Sequence, residues 1–187
     1  MTNQTPGSRF GSAVVTLPTD TQIQITRVFD APAAIVFEAW TTPALVRRWW
    51  GSDDAPLTVC NIDLRVGGDW RYVMTMNGAE LGWHGTYREI DEPDRLVSSE
   101  VFEGFPDGEA VNTLTLTEVR ATTTLTVLVQ HRTKENRDGH IASGMEAGMQ
   151  RTLDRLETLT NGLAAREPTA SRETDRPAPP RGPENRS

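Results

Sequence analysis

The sequence predicts an α+β fold in which a curved antiparallel sheet of six to seven strands wraps round one long C-terminal helix. Apolar and polar residues alternate over residues 22–29 and again in several segments over residues 57–130, as they do in half-buried strands. Tight turn signals such as Asn77-Gly78 join successive segments, which favours antiparallel pairing of neighbours. From about Lys134 the apolar residues recur at helical spacing, and a long amphipathic helix must cover one face of such a sheet.

Two short helices are predicted between the first strand and the second. Pro32 occupies a position that the first turn of a helix favours, and apolar residues follow it at helical spacing up to Trp40. Thr42-Pro43 is a second start signal, with Thr as the cap, and Gly51 ends that helix. The remaining strands are predicted at residues 57–66, 69–76, 80–90, 95–102, 111–119 and 122–130.

The long C-terminal helix presents one apolar stripe. Its members are Ile141, Met145, Met149, Leu153, Leu156 and Leu163. A curved sheet wrapped round this helix leaves room between the two layers, and a space of this kind is a typical place for a ligand. The sequence therefore predicts an internal cavity between sheet and helix.

The 187 residues divide into one domain and two polar ends. Residues 1–20, rich in Thr, Ser, Gly and Pro, are interpreted as a flexible N-terminal arm. Residues 166–187 contain five prolines and five arginines but almost no large apolar side chains, so we expect a disordered Pro/Arg-rich tail. The folded domain is placed at residues 21–165.

Composition and charge exclude several classes of function. A net charge of -7 argues against a nucleic-acid partner. The sequence contains neither a long apolar run nor a signal-peptide core, so we expect no membrane span and a cytoplasmic location. Cys60, the single cysteine, is expected to be a small buried residue. His84, His131 and His140 lack the spacing of metal ligands, and no dinucleotide or phosphate-loop motif is present, so neither a metal nor a cofactor is expected.

Seven short segments, in their order and spacing, resemble the bacterial members of the heat-shock-protein-90 ATPase activator homologue family. This family belongs to the START-like (SRPBCC, birch-pollen-allergen-like) superfamily. Together the segments cover about residues 22–163. They are residues 25–32, 36–41, 48–51, 62–68, 85–90, 143–148 and 153–156.

The resemblance implies a helix-grip fold, with two short helices in a V and a cavity under the long helix. Relatives in the superfamily bind lipids, hormones or polyketides in that cavity, and some catalyse cyclisation or dehydration there. The eukaryotic chaperone activators carry an additional N-terminal domain that engages the chaperone, where we expect only a polar arm in this chain.

Candidate ligand-binding residues combine aromatic rings, methionines and one carboxylate. Trp70 and Tyr72 share a strand face, as do Trp83 and Tyr87, and the same period places Glu89 beside Tyr87 as a polar anchor. Each ring also has an ordinary explanation as part of the core. The full set is Trp40, Trp50, Trp70, Tyr72, Trp83, Tyr87, Glu89, Phe102, Met145 and Met149.

Three functional hypotheses follow. The first is a binding protein for a small apolar or amphipathic molecule, in a stress-related role. The second is an enzyme of the cyclase or dehydratase kind, in which Glu89 or His84 moves protons. The third is a chaperone-accessory protein. Whether the chain forms a homodimer is a separate alternative that stays open. No catalytic triad or paired carboxylates emerge from the sequence.

Overall fold

The computed structural model describes residues 9–52 and 54–166 as eight strands and four helices. In chain order the elements are β1 (Val14–Thr16), β2 (Gln22–Phe29), α1 (Ala33–Thr41), α2 (Pro43–Trp49), β3 (Leu57–Ile62), β4 (Asp69–Met76), β5 (Ala79–Asp91), β6 (Arg95–Phe102), β7 (Ala110–Val119), β8 (Thr122–His131), α3 (Lys134–Ala142) and α4 (Met145–Ala164).

All eight strands form one antiparallel sheet in the order β1-β2-β8-β7-β6-β5-β4-β3. Residues along β2 and β8 alternate between buried and half-buried, as the two-residue period of a strand requires. The α+β class, the antiparallel sheet and the C-terminal helix are confirmed. The sheet has eight strands, whereas the sequence predicted six to seven.

The additional strand, β1, lies within the segment that we expected to be a flexible arm. Val15 pairs with Ile25 of β2, and the side-chain amide of Gln150 bonds both the N–H and the C=O of Ala13. A strand of three residues is too short to show an alternating pattern, so periodicity could not indicate it. Residues 1–8 of the arm, and residues 167–187 of the expected tail, lie outside the described residues.

The single C-terminal helix that we expected is two helices, α3 and α4. Gly144 between them has a φ of 78°, a left-handed conformation that glycine adopts without a steric penalty. The break removes Ile141 from the apolar stripe and leaves it 38% exposed. Leu153, Leu156 and Leu159 of α4 are buried against the sheet and the short helices.

An ion-pair cluster holds α4 on β2. The guanidinium of Arg27, with no exposed side-chain surface, lies 2.7 Å from Asp154 Oδ1 and 2.5 Å from Glu157 Oε2. Successive turns of α4 supply the two carboxylates, so the arginine fixes both the position and the rotation of the helix. None of the described helices is long and apolar enough to cross a membrane.

Candidate functional site

A pocket of about 70 Å³ lies between the pair α1–α2 and strands β4 to β8. No residue of α4 lines it, so the short helices form its roof and the long helix does not, contrary to our expectation. The lining residues are Trp40, Trp49, Trp50, Trp70, Tyr72, Tyr87, Leu96, Ser98, Glu100, Asn112, Leu114 and Val127.

Aromatic rings form most of the pocket wall. The ring centroids of Trp40 and Trp49 are 4.8 Å apart, those of Trp70 and Tyr72 are 4.9 Å apart, and that of Trp50 is 5.4 Å from Tyr72. Tilted and edge-on pairs at these distances are favourable for aromatic rings. Each of these five rings therefore packs against a neighbouring ring.

One side of the pocket is polar, and its groups come from β6 and β7. Leu96, Ser98 and Glu100 alternate along β6, so they share its inner face. Asn112 stands opposite Ser98 on β7, and its Nδ2 donates a 2.9 Å hydrogen bond to Glu100 Oε2. Carboxylate and amide thus face the rings across the pocket.

The carboxylate on this polar side has no cation beside it in the part of the chain that the structure describes. Burial raises the pKa of Glu100, and the hydrogen bond from Asn112 opposes that rise. None of the ion pairs among the described residues includes Glu100. Burial also raises the pKa values of Tyr72 and Tyr87, so both phenols stay neutral at physiological pH.

Two buried polar atoms of the lining residues have no hydrogen-bond partner within the described part of the chain. They are Trp70 Nε1, a donor, and Asn112 Oδ1, an acceptor. Buried polar atoms are nearly always satisfied, by protein, water or ligand. The residues that line the pocket therefore include one buried donor and one buried acceptor that no described group satisfies.

Gly85 of β5 keeps this region open. A Cβ at this position would lie 1.9 Å from the backbone oxygen of Ser99 and 2.8 Å from Trp70 Nε1. Any larger residue would therefore displace the indole of Trp70 or separate β5 from β6.

The architecture around this pocket matches a known family. The family model described as Activator of Hsp90 ATPase homolog 1-like protein matches residues 30–161. The chain belongs to this family. The match spans every residue of the pocket and confirms the resemblance found in the sequence, including its place in the START/SRPBCC superfamily.

Solved structures of bacterial proteins share the fold of this AHSA1-like domain. A protein from Rhodobacter sphaeroides is 29% identical, with a TM-score of 0.75 over 80% of this chain and 99% of that chain. Protein Ms6760 from Mycobacterium smegmatis is 26% identical, with a TM-score of 0.72 over 79% and 96% of the two chains. The AHSA1-like protein from Aeromonas hydrophila, at 21% identity and a TM-score of 0.61 over 80% and 99%, has the same fold. No curated protein matches the chain.

Five of the residues that the sequence nominated line the pocket of the AHSA1-like domain. They are Trp40, Trp50, Trp70, Tyr72 and Tyr87. Trp40 and Trp50 belong to the roof, and the other three rings share the inner face of β4 and β5.

Four nominated residues lie outside the pocket but near the core. The ring of Trp83 stacks between Trp50, at 4.8 Å, and Phe102, at 5.4 Å, and Phe102 is 36% exposed. Met145 and Met149 are half-buried against the core at the start of α4, and they do not reach the pocket because α1 and α2 form its roof.

Glu89 is not the polar anchor that the strand period suggested. The register of β5 against β6 shifts by one residue between Tyr87 and Glu89, and a bulge of this kind reverses the faces beyond it. The Glu89 side chain is half exposed and pairs with Arg95 at 2.9 Å. His84 is exposed as well, with its Nδ1 3.3 Å from Glu103 Oε1.

Sequence reasoning missed four of the residues that give the pocket its character. Trp49, Ser98, Glu100 and Asn112 line the pocket but were not among the candidates. A signal for them exists, because Leu96, Ser98 and Glu100 obey the two-residue period of β6. Among the described residues, no group of three or more His, Cys, Asp or Glu side chains is arranged to hold a metal ion.

Proposed function

We propose that the pocket binds a small amphipathic molecule. The observation that carries the proposal is the pair of unsatisfied atoms, Trp70 Nε1 and Asn112 Oδ1, in a wall that is otherwise aromatic. A ligand with one acceptor and one donor would satisfy both atoms while its apolar part lies against the rings. An apolar ligand would leave both polar atoms buried and unpaired, which costs about 1–3 kcal/mol for each.

The size of the pocket favours a ligand of few atoms. Its volume is about 70 Å³, whereas sites for drug-sized ligands usually measure roughly 300–1,000 Å³. The half-buried residues Trp40 and Trp50 belong to α1 and to the turn after α2. A larger ligand would therefore need the roof helices to move.

Native mass spectrometry of protein purified from its own host tests the proposal first. We expect a defined small molecule at near one-to-one occupancy, released on denaturation. The double variant Trp70→Phe with Asn112→Leu should be recovered without it, because both polar contacts are lost. The matched control pairs Trp83→Phe with Thr113→Val, since Trp83 lies outside the pocket and Thr113 is adjacent to Asn112 on the same strand. A ligand retained by the double variant and lost by the control would place binding elsewhere.

A proton-transfer enzyme of the cyclase or dehydratase kind is the second candidate. Glu100 supports it, because burial raises the pKa of this carboxyl towards the range useful for an acid or base. Once the host-derived ligand is known, Glu100→Gln should bind it and abolish its turnover. Equal turnover in Glu100→Gln and the wild type would remove this candidate.

A further inference from the structure

Among the described residues, the lining of the pocket has one carboxylate, no cation and six aromatic rings, and this combination selects a ligand by charge. We infer that the molecule bound here is an organic cation, a small protonated or quaternary amine whose positive centre lies among the rings and beside Glu100. The inference rests on the proposed function and adds the sign of the ligand's charge to it.

The first support is the aromatic wall. Trp40, Trp49, Trp50 and Trp70 line the pocket together with Tyr72 and Tyr87. Aromatic rings carry negative charge on their faces, and a cation over them gains about 2 kcal/mol or more when it is desolvated. Cages of several rings are a recurring device for binding quaternary ammonium groups.

The second support is a carboxylate without a counter-charge. Glu100 receives one hydrogen bond, from Asn112 Nδ2, and takes part in no ion pair within the residues that the structure describes. The nearby arginines of the sheet have other partners, since Arg95 of β6 pairs with Glu89 and Arg88 of β5 pairs with Glu109. A buried charge normally has a partner, and a bound ammonium group would be that partner.

The third support is that the pocket is unfavourable for an anionic ligand. An anionic ligand would lie near Glu100 without any lining lysine or arginine to compensate it. The other polar groups of the lining suit a cation better, since Asn112 Oδ1 has no donor and an ammonium N–H is a donor. Trp70 Nε1 then remains for an acceptor elsewhere on the ligand, such as a hydroxyl.

The pH dependence of binding follows from the groups around Glu100. The ionisable side chains near it are Tyr72 and Tyr87, with Cys60 beside the two phenols, and all three are neutral near pH 7 because burial raises their pKa values. Glu100 is therefore the group whose ionisation changes the charge of the pocket. Affinity for a cation should rise with pH as Glu100 loses its proton, and affinity for a neutral ligand should not.

Choline and its uncharged carbon isostere, 3,3-dimethylbutan-1-ol, form a matched pair of probes. They have the same shape and the same hydroxyl, and differ only by the positive nitrogen. Titration of the wild-type protein, followed by tryptophan fluorescence and calorimetry at pH 8, should show choline binding at least about tenfold more tightly, since a difference of about 1.4 kcal/mol is tenfold in affinity. The advantage should shrink as the pH is lowered to 5.

Two variants test whether the preference for choline over its isostere arises in the pocket. Glu100→Gln should remove most of the preference for choline while leaving the affinity for the isostere within about twofold. Glu103→Gln, at an exposed carboxylate paired with Arg71, is the control and should keep the preference.

Equal or tighter binding of the isostere to the wild-type protein would overturn the cation inference and leave the proposed amphipathic site standing. Binding of neither probe would also overturn the inference, and the host-derived ligand would then decide the proposed function separately. Because both probes are compared on the wild-type chain, the result does not depend on the folding of a variant.

Discussion

Two glutamates of this domain, the buried Glu157 and the half-buried Glu100, have opposite surroundings. Glu157 on α4 is 4% exposed and lies 2.5 Å from the guanidinium of Arg27, which Asp154 also contacts. Glu100 on β6 faces the pocket, and among the described residues its hydrogen-bond partner is the amide of Asn112. The first carboxylate is compensated within the fold, and the second is not.

The carboxylate of Glu157 helps to position α4, whereas the carboxylate of Glu100 is available to a ligand. Removing a partner from a compensated buried pair leaves a charge without solvent or counter-ion, so such pairs are rigid parts of the structure. An uncompensated carboxyl instead responds to burial with a raised pKa, and perturbed groups of this kind concentrate at functional sites. The predictions below test this distinction, from the largest expected effect to the smallest.

Arg27→Met should give the largest loss of stability. It leaves the buried Glu157 and the half-buried Asp154 side by side without Arg27, and breaking a buried ion pair in this way typically costs about 3–5 kcal/mol. Urea unfolding at pH 7 measures the change. The triple variant Arg27→Met, Asp154→Leu, Glu157→Met should recover most of the loss, since an apolar replacement removes the orphaned charges. A loss below about 1 kcal/mol for the single variant would mean that the cluster does not hold α4.

His131 is a buried ionisable group as well, but it is a base, and it extends the comparison of the two glutamates. Burial chiefly, with His140 and Arg137 nearby, lowers the pKa of His131 to about 4. The folded state therefore favours the neutral form of His131. The contribution of neutral His131 to the free energy of unfolding is complete above about pH 6.5 and is lost as the pH falls from 6.5 towards 4. The loss should approach about 3 kcal/mol, since each pKa unit corresponds to about 1.4 kcal/mol.

His131→Gln isolates that contribution. Stability of the wild type and the variant, measured by urea unfolding from pH 7.5 to 4, should converge as the pH falls. His84→Gln is the control, because His84 is exposed and bonded to Glu103, and its pH profile should follow the wild type. A wild-type profile that stays parallel to that of His131→Gln would show that His131 is not held neutral.

Arg27→Lys should have a smaller effect than Arg27→Met. Lysine keeps the charge but cannot direct two fixed N–H groups at two carboxylates, as the arginine fork does. We expect a loss of about 1–2 kcal/mol, in the range of a charged hydrogen bond. Unfolding in urea under the same conditions ranks the three proteins, and a lysine variant as unstable as the methionine variant would show that geometry matters more than charge.

Glu100→Gln should have the smallest effect, and of opposite sign. Because the pKa of Glu100 is raised in the folded state, its contribution to stability is present below its unfolded value and is lost as the pH rises through the folded value. The glutamine variant escapes that loss and should be more stable than the wild type by on the order of 1 kcal/mol at pH 8. A destabilised variant at pH 8 would mean that Glu100 is compensated after all, as Glu157 is.

The sequence predicts the elements well where the pattern is long and periodic. β2 and β8 alternate over their whole lengths, and the start signals at Pro32 and Thr42-Pro43 place α1 and α2 correctly. The aromatic faces of β4 and β5 also identify Trp70, Tyr72 and Tyr87 as inward-facing. Periodicity succeeds here because a half-buried strand constrains every second residue.

The sequence fails where a single residue changes the geometry. The bulge after Tyr87 turns Glu89 outward, and the left-handed Gly144 divides the C-terminal helix. Neither event alters hydrophobicity, so periodicity cannot detect it. Glu100 was missed for a different reason, since an acidic residue on a strand is usually on the exposed face.

The pairing of β2 with β8 determines when this protein can fold during synthesis. β2 is made early, yet its neighbour in the sheet spans residues 122–131 and the partners of Arg27 come later still, at Asp154 and Glu157. A nascent chain that has not yet released α4 from the ribosome therefore carries an arginine and a row of apolar side chains with nothing to pack against. The domain can complete its fold only after residue 157 has left the ribosome, and chaperones that shield exposed apolar segments can act in that interval.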